Sequence, residues 1–297
     1  MKQPANRCKC GQPAVVCHCY SPSKGHGFSA QCKGAHWGPW AKTVLGPTGT
    51  EEQLWKALVP ILRLDAHDPG TALHRHMETL RTRGRLLNER GFRIIHFTGP
   101  GTDLRVTLAP TSRWLGGGDA TPDGKPFMPN IPTEEVFSTP DFRGTEGTVT
   151  ATRRARIHGA VVEAAHLEFR GGQVVSSTAA RGAEALARFL ETDAGARRLG
   201  EVALVDCTSP IWKSGLIFDS MLLDENAACH VALGAGYDLG FGGSEGWDEA
   251  EKTRRGLNTS LVHEDFMIGS DDVTVTGVDS AGKEVPIITK GRFAAGF

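Results

Sequence analysis

Three segments, RLGEVALV (198–205), DENAACHVALGAGYDLGFGG (224–243) and LVHEDFMIGS (261–270), carry ionisable side chains within apolar or glycine-rich sequence. Burying an unpaired charge among apolar residues is costly, so each of these side chains needs a partner. Histidines and carboxylates from separate segments commonly bind divalent cations together. The sequence therefore predicts a fold arranged around a site for one or two cations, with six candidate metal-binding groups: Glu201, Glu225, His230, Tyr237, His263 and Asp265.

Length and charge limit the classes of protein that fit the chain. Its 297 residues suffice for one large domain or two. The net charge of −1 gives no basic surface for nucleic acid and no reason to expect a charged membrane as a partner. No apolar run approaches the roughly 18 residues of a spanning helix, and the first residues lack the apolar region of a secretory signal. We expect a cytoplasmic protein without nucleic-acid or membrane partners.

The first 38 residues differ in composition from the rest and hold five of the seven cysteines. Such clustering is unlike a secreted disulfide scaffold and favours reduced thiols. One interpretation is a small zinc module; the C-x-C spacing is a weaker signal than paired C-x2-C motifs. The other, which we favour, is a disordered N-terminal segment over residues 1–38. The zinc module would use Cys8, Cys10, Cys17 and Cys19, with His18, His26, Cys32 and His36 as spare ligands.

Hydrophobic periodicity beyond residue 38 predicts an α+β protein in which strands outnumber helices. A long helix should begin at the N-cap Thr71 and end at Gly91, with His74 and His76 on its surface. Strands are expected at 92–99, 103–110, 148–153 and 201–206, and hairpins at 161–179 and 273–289. Further helices are expected at 51–66, with a break at Pro60, and at 182–193.

Each candidate donor also has an ordinary structural explanation. His263 and Asp265 are two residues apart on a predicted strand and share a face, which suits a metal site or a simple hydrogen bond. Glu225 could be an exposed helix cap. His230 lies in a segment that resembles the opening of a helix or turn, and it could be a buried core histidine. Glu201 could pair with a neighbouring arginine. A shared metal site explains all of them at once, and we favour it for that reason.

The sequence resembles the thermophilic metallo-aminopeptidase family. The resemblance lies in TEEVF (133–137), RLGEVALVD (198–206), DENAACHVALG (224–234) with GAGY (234–237), and HEDFMIGSDD (263–272). HFTGPGTDL (96–104) and FLETDAGARRLGE (189–201) support it. The match covers most of the chain and implies a mixed-sheet catalytic domain over residues 39–297. From the resemblance we expect that most of the α/β domain that usually precedes this domain in the family is missing here.

The resemblance implies hydrolysis of the N-terminal residue of a peptide by water that two divalent metal ions activate. The metal could be Zn, Co, Mn or Mg, because mixed oxygen and nitrogen ligands accept all four. The implied partners are peptides with a free N-terminus and a second copy of the chain in a homodimer. The implied metal ligands are Glu135, Glu201, Glu225, His230, His263 and Asp265.

The same resemblance suggests catalytic roles for two further residues. Tyr237 would lie at or beside the metals and donate to the oxyanion, and Glu134 or another carboxylate that binds no metal would act as general base. Glu134 also competes with Glu135 as the first ligand, but alternation along a strand allows only one of them to face the site, and spacing favours Glu135.

Two other functions fit the sequence. The chain could be a truncated homologue that binds metal without catalysis and serves as an assembly or interaction module. A glycosidase built on Glu134 and Glu135 is a weaker alternative, because no aromatic platform for sugars accompanies them.

Overall fold

The longest helix, α3, runs from Pro69 to Arg90 and has suitable residues at both ends. The carboxylate of Asp68 accepts hydrogen bonds from the backbone N–H of Thr71 (3.1 Å) and from its hydroxyl (2.7 Å). Gly91 ends the helix with φ at 60°, a left-handed conformation that glycine adopts at little cost. The predicted end at Gly91 is confirmed. The predicted N-cap is wrong, because Asp68 and not Thr71 caps the helix.

The computed structural model describes residues 37–121 and 123–297. The predictions for the cysteine-rich segment concern residues outside these ranges, apart from residues 37 and 38, which begin the first helix. The other helices are α1 (Trp37–Leu45), α2 (Glu51–Ile61), α4 (Ala183–Leu190), α5 (Pro210–Ser214), α6 (Met221–Asp224) and α7 (Glu249–Arg255). In these ranges no helix is both long and apolar enough to cross a membrane.

Sixteen short strands account for most of the remaining regular structure. They are β1 (Ile94–Gly99), β2 (Thr102–Thr107), β3 (Asp119–Ala120), β4 (Pro126–Phe127), β5 (Val136–Ser138), β6 (Glu146–Thr150), β7 (Ala155–Ile157), β8 (Ala160–Val162), β9 (His166–Arg170), β10 (Gln173–Thr178), β11 (Leu199–Leu204), β12 (His230–Gly234), β13 (His263–Met267), β14 (Thr274–Val278), β15 (Glu284–Thr289) and β16 (Arg292–Phe293). The predicted hairpins at 161–179 and 273–289 are confirmed as β9–β10 and β14–β15.

The chain divides into two compact units, Met1–Val59 and Pro60–Phe297. In the described part of the first unit, the ring of Trp37 lies 5.6 Å from that of Trp40 and 6.0 Å from that of Trp55. Among the described residues, the second unit contains every strand and all the residues proposed for the aminopeptidase site.

Two antiparallel sheets form the frame of the second unit. The larger has eight strands in the order β10-β9-β6-β2-β1-β14-β15-β16, and the smaller has four in the order β13-β12-β11-β5. One continuous core contains side chains of both sheets, of α3 and of α4, among them Leu87, Phe97, Phe189, Val231 and Phe266. Separate helices beside antiparallel sheets confirm the α+β class.

Candidate metal centre

The smaller sheet brings the predicted donors together on one face. Glu201, Ala232 and Asp265 stand opposite one another on β11, β12 and β13. His230 is two residues from Ala232, and His263 is two residues from Asp265, so both imidazoles project from the same face. The opposite face carries apolar side chains of the core, together with the partly buried Glu264. The strand pattern therefore separates the donors from most of the apolar packing.

A bulge in β11 allows this separation. The pairing with β12 shifts between Leu199 and Glu201, which leaves Gly200 as the extra residue. A Cβ on Gly200 would lie 2.2 Å from the carbonyl oxygen of Ala235, so no larger residue fits there. Because of the extra residue, Leu199 packs in the core while Glu201 points to the opposite face.

The donor atoms of five residues, called the donor cluster here, lie close enough to share cations. Nε2 of His230 is 3.1 Å from Oε2 of Glu135 and 3.9 Å from both Oε1 of Glu201 and Oδ1 of Asp265. Nε2 of His263 is 3.4 Å from Oε2 of Glu201 and 3.7 Å from Oδ1 of Asp265. The donors form two groups that share Glu201, each with its atoms within 4.8 Å of one another: Glu135, Glu201 and His230, and Glu201, His263 and Asp265.

Backbone carbonyls orient both imidazoles. Nδ1 of His230 donates to the carbonyl of Ala228 at 3.1 Å, and Nδ1 of His263 donates to the carbonyl of Ala235 at 2.8 Å. A neutral imidazole that donates from Nδ1 presents a lone pair on Nε2, which is the tautomer that a metal ligand requires. Both Nε2 atoms face the carboxylates of the donor cluster.

The site holds more carboxylates than its own residues can neutralise. Burial raises the pKa of Glu201 to about 7 and raises the pKa of Asp265. Burial alone would lower the pKa of both histidines, but the surrounding carboxylates have the larger effect. They raise the pKa of His230 well above 6.5 and the pKa of His263 to about 9. Protonation would thus offset the excess negative charge, and bound cations would offset it more fully.

The donor set fits a cation on steric and chemical grounds. The buried atom Oδ1 of Asp265 has no hydrogen-bond partner among the described residues, and Oε2 of Glu135 has only its contact with Nε2 of His230 at 3.1 Å. Buried carboxylate oxygens without partners are costly, and a coordinated cation would satisfy both. Three carboxylates and two imidazoles suit Zn, Co or Mn, and the oxygen donors also suit Mg.

Glu225 and Tyr237 lie beside the donor cluster. Glu225 begins a short 3₁₀ turn after α6, and burial, followed by the charges of Glu135 and Asp265, raises its pKa well above the usual range. The hydroxyl oxygen of Tyr237 is 3.4 Å from Nε2 of His263, and the two rings are 4.9 Å apart. Burial raises the pKa of Tyr237 as well, so its hydroxyl stays protonated.

Glu134 has a different set of contacts from its neighbour Glu135. Its two carboxylate oxygens lie 2.8 and 3.0 Å from Nη2 of Arg63, and its backbone N–H donates to the side chain of Asn226 at 2.6 Å. His76 is 2.7 Å from the carbonyl of Thr133 and 3.3 Å from Glu134. These contacts fix the segment that carries Glu135. The role of general base for Glu134 remains a prediction, and its pairing with Arg63 does not favour it.

The sequence analysis missed the residues that hold this segment. His76 was expected on the surface of α3, but only 16% of its side chain is exposed, and burial lowers its pKa to about 4. Arg63 was not singled out. Both lie far from Glu134 in sequence, so no local pattern could have linked them.

Replacing Arg63 with methionine is expected to destabilise the protein by about 3 kcal/mol, since it leaves the carboxylate of Glu134 buried without its cation. Urea unfolding at pH 8 measures the change. Adding Glu134→Gln should restore part of the loss, because the amide carries no charge. Arg188→Met, which removes an exposed pair with Glu184, is the control and should change the free energy of unfolding by about 0.5 kcal/mol or less. Equal effects of the two arginine substitutions would contradict the assignment.

Comparison with known proteins places the chain among metalloproteases. The sequence profile of the family described as "Thermophilic metalloprotease (M29)" matches residues 37–293. The chain is 44% identical over 257 residues to aminopeptidase T of Thermus aquaticus and 43% identical over 258 residues to aminopeptidase 2 of Geobacillus stearothermophilus. Each of these matches covers 86% of this chain and 62% of the relative.

A solved structure has the same fold. Wild-type AmpT from Thermus thermophilus superposes with a TM-score of 0.81 at 42% sequence identity, over 88% of this chain and 64% of that one. The chain thus spans less than two thirds of the length of these relatives, and the match includes every residue of the donor cluster.

Proposed function

Because the chain belongs to the thermophilic metalloprotease family M29, we propose that it is a metal-dependent aminopeptidase that removes the N-terminal residue of peptides at a site for two divalent cations. The relatives named above are aminopeptidases, but the chain covers only 62% of them. The donor cluster is the observation that carries the proposal, since its two groups of three donors share Glu201.

The ligands proposed from the sequence divide between the two positions. Glu135 and His230 would hold one cation, His263 and Asp265 the other, and Glu201 would bind both. Glu225, whose pKa responds to the charges of Glu135 and Asp265, would complete the set. The bound cations would polarise the scissile carbonyl and lower the pKa of a water molecule.

The side chains around the donor cluster would act on the substrate. The protonated hydroxyl of Tyr237 is suited to donate to the oxyanion that forms at the scissile carbonyl. Glu134 would accept a proton if it acts as the predicted base, which requires it to leave Arg63. If Glu134 serves only to hold its segment, Glu134→Gln should keep most of the activity, and measuring kcat for that variant separates the two roles.

Hydrolysis of amino-acid p-nitroanilides by the metal-loaded protein tests the proposal. We expect release of p-nitroaniline from substrates with a free amino group and none from their N-acetylated counterparts, with a metal content near two ions per chain by elemental analysis. Tyr237→Phe should keep the metal and lose about 100-fold in kcat, as expected when one oxyanion donor is removed.

Metal binding without any turnover would support the alternative, a catalytically silent assembly or interaction module. Cleavage of acetylated and free substrates alike would exclude an aminopeptidase. The cytoplasmic location and the homodimer remain proposals that fit this function, and sedimentation of the purified protein tests the second.

A further inference from the structure

A cavity of about 990 Å³ opens beside the donor cluster. Its lining includes Glu135 of the donor cluster, together with Trp114, Leu115, Phe137 and Trp247. A space of this size can hold several residues of a peptide. Glu135 is the point at which the cavity meets the donor cluster, so a peptide in the cavity lies next to the donors where it passes Glu135.

The strand geometry sets the length of the cavity wall. Leu115 and Phe137 are paired, with N–O distances of 2.9 Å in both directions. Glu135 lies two residues before Phe137, and Arg113 lies two residues before Leu115, on the other side of this antiparallel pair. Counted outward from this single bridge, four residue positions separate Glu135 from Arg113, or about 13 Å if both segments are extended. An extended peptide that begins at Glu135 would pass four residues before it reaches Arg113.

Arg113 differs from the other cations that line the cavity. Arg85 pairs with Glu89, Lys252 pairs with Asp238, and Arg81 is 3.8 Å from Glu78. Within the described residues, no carboxylate lies within 4.0 Å of the Arg113 guanidinium. Of the remaining acidic residues in the lining, Asp119 is on the Glu135 side of Leu115, and Glu245 makes no ion pair with Arg113.

The backbone around Arg113 holds it at the cavity wall. Its N–H donates to the carbonyl of Gly240 at 2.8 Å. Its side chain passes so close to Gly242 that a Cβ on that glycine would be 2.6 Å from Cδ of Arg113. Arg113 is thus an exposed residue whose stem packs against Gly242 and whose guanidinium makes no ion pair with the described residues. A fork of N–H donors in this state is suited to a carboxylate.

We propose that Arg113 binds a carboxylate of the peptide substrate about four residues beyond the scissile bond. This inference rests on the proposed function and specifies its substrates as peptides that carry a carboxylate at about the fifth residue. The carboxylate can be the C-terminus of such a peptide or an acidic side chain at the same position in a longer one.

Hydrolysis of matched peptides by the metal-loaded full chain tests the inference. We expect kcat/KM to be about fivefold higher for Leu-Ala-Ala-Ala-Ala as the free acid than as the C-terminal amide, as expected for a partly exposed ion pair. Arg113→Ala should bring this ratio close to one. Arg85→Ala, which removes a cation already paired with Glu89, should leave the ratio unchanged and serves as the control.

Longer peptides distinguish the two sources of the carboxylate. A preference for Glu over Gln at the fifth residue of a nonapeptide, lost in Arg113→Ala, would identify a side chain as a source. A preference confined to the terminal acid of the pentapeptide would identify the C-terminus. Equal rates for every acid and neutral pair in the wild-type protein would overturn the inference.

A binding measurement separates this inference from the proposed function. N-acetylated pentapeptides, as acid and as amide, can be titrated into the metal-free protein by calorimetry. The acid should bind about fivefold more tightly than the amide, and Arg113→Ala should remove the difference. If no peptide is hydrolysed but the acid still binds more tightly than the amide, the aminopeptidase is refuted and the carboxylate site is supported. No difference in binding would refute the site whether or not peptides are cleaved.

Discussion

Replacing Glu201 with glutamine is expected to reduce aminopeptidase activity by about 1000-fold or more, a loss of about 4 kcal/mol in transition-state stabilisation. Glu201 is shared by both groups of donors, so its carboxylate is the one that both cation positions require. Glutamine has the same shape but only one oxygen donor and no charge. The substitution should therefore disturb both positions while leaving the sheet intact.

Metal content shows whether the loss of activity comes from the loss of bound cations. Glu201→Gln should retain fewer than one ion per chain by elemental analysis after dialysis, against about two for the wild-type protein. Glu284→Gln changes an exposed carboxylate on β15 and should keep both activity and metal. If Glu201→Gln hydrolyses peptides at the wild-type rate, the metal scheme is excluded.

The metal-free protein is expected to lose stability as the pH rises from 7 to 9. In the folded state the pKa of His263 is raised to about 9 and that of His230 well above 6.5, while unfolding returns both to about 6.5. Burial raises the pKa of Glu264 to about 8, so this carboxyl group also holds a proton in the folded state that it loses on unfolding. The folded state thus binds more protons than the unfolded state over this range, and stability falls as those protons leave.

The expected loss is of the order of 2 kcal/mol, or about 5 °C in Tm. Thermal unfolding in the presence of a chelator at pH 7 and at pH 9 measures it. The pKa of His76 is lowered to about 4, so its contribution makes the protein more stable as the pH rises, but only up to about pH 6.5. It therefore does not affect the comparison between pH 7 and pH 9. A chelated protein that is more stable at pH 9 than at pH 7 would contradict the charge balance described for the donor cluster.

Added metal should oppose this fall in stability with rising pH. The donors must lose their protons to bind a cation, so the affinity for metal rises over the same pH range. The gain in Tm on adding Zn or Mn should therefore be larger at pH 8 than at pH 6.5. His263→Gln should reduce both the pH dependence of the metal-free protein and the gain from metal.

Local periodicity was enough to predict part of the donor cluster. Side chains alternate along any strand, so His263 and Asp265 were expected to share a face, and they do. The same rule allowed only one of Glu134 and Glu135 to face the site, and Glu135 is the one that does. These predictions needed no knowledge of how the strands pair.

Apart from the N-cap of α3, the predictions that failed depend on tertiary structure. His230 was expected in the opening of a helix or turn, but it is the first residue of β12. The five-residue strand is too short for its period to be distinguished from a turn, and its pairing with β11 and β13 decides its conformation. The alignment of Glu201 with Asp265 across Ala232 depends on the bulge at Gly200, which only the pairing of the strands reveals. The contacts of Arg63 and His76 with the segment before β5 also depend on tertiary structure, because these residues are far apart in the sequence.

Since the donors lie at alternating positions on three adjacent strands and directly before a fourth, the fold restricts how the gene can change in length. One codon gained or lost within β11, β12 or β13 would turn every following side chain of that strand over and exchange a donor for a core residue. The long connections between these strands are free of this restriction, apart from the positions of Glu225 and Tyr237. Insertions and deletions that survive selection are therefore expected in the connections, which makes them the places where related proteins can acquire new substrate preferences without losing the metal centre.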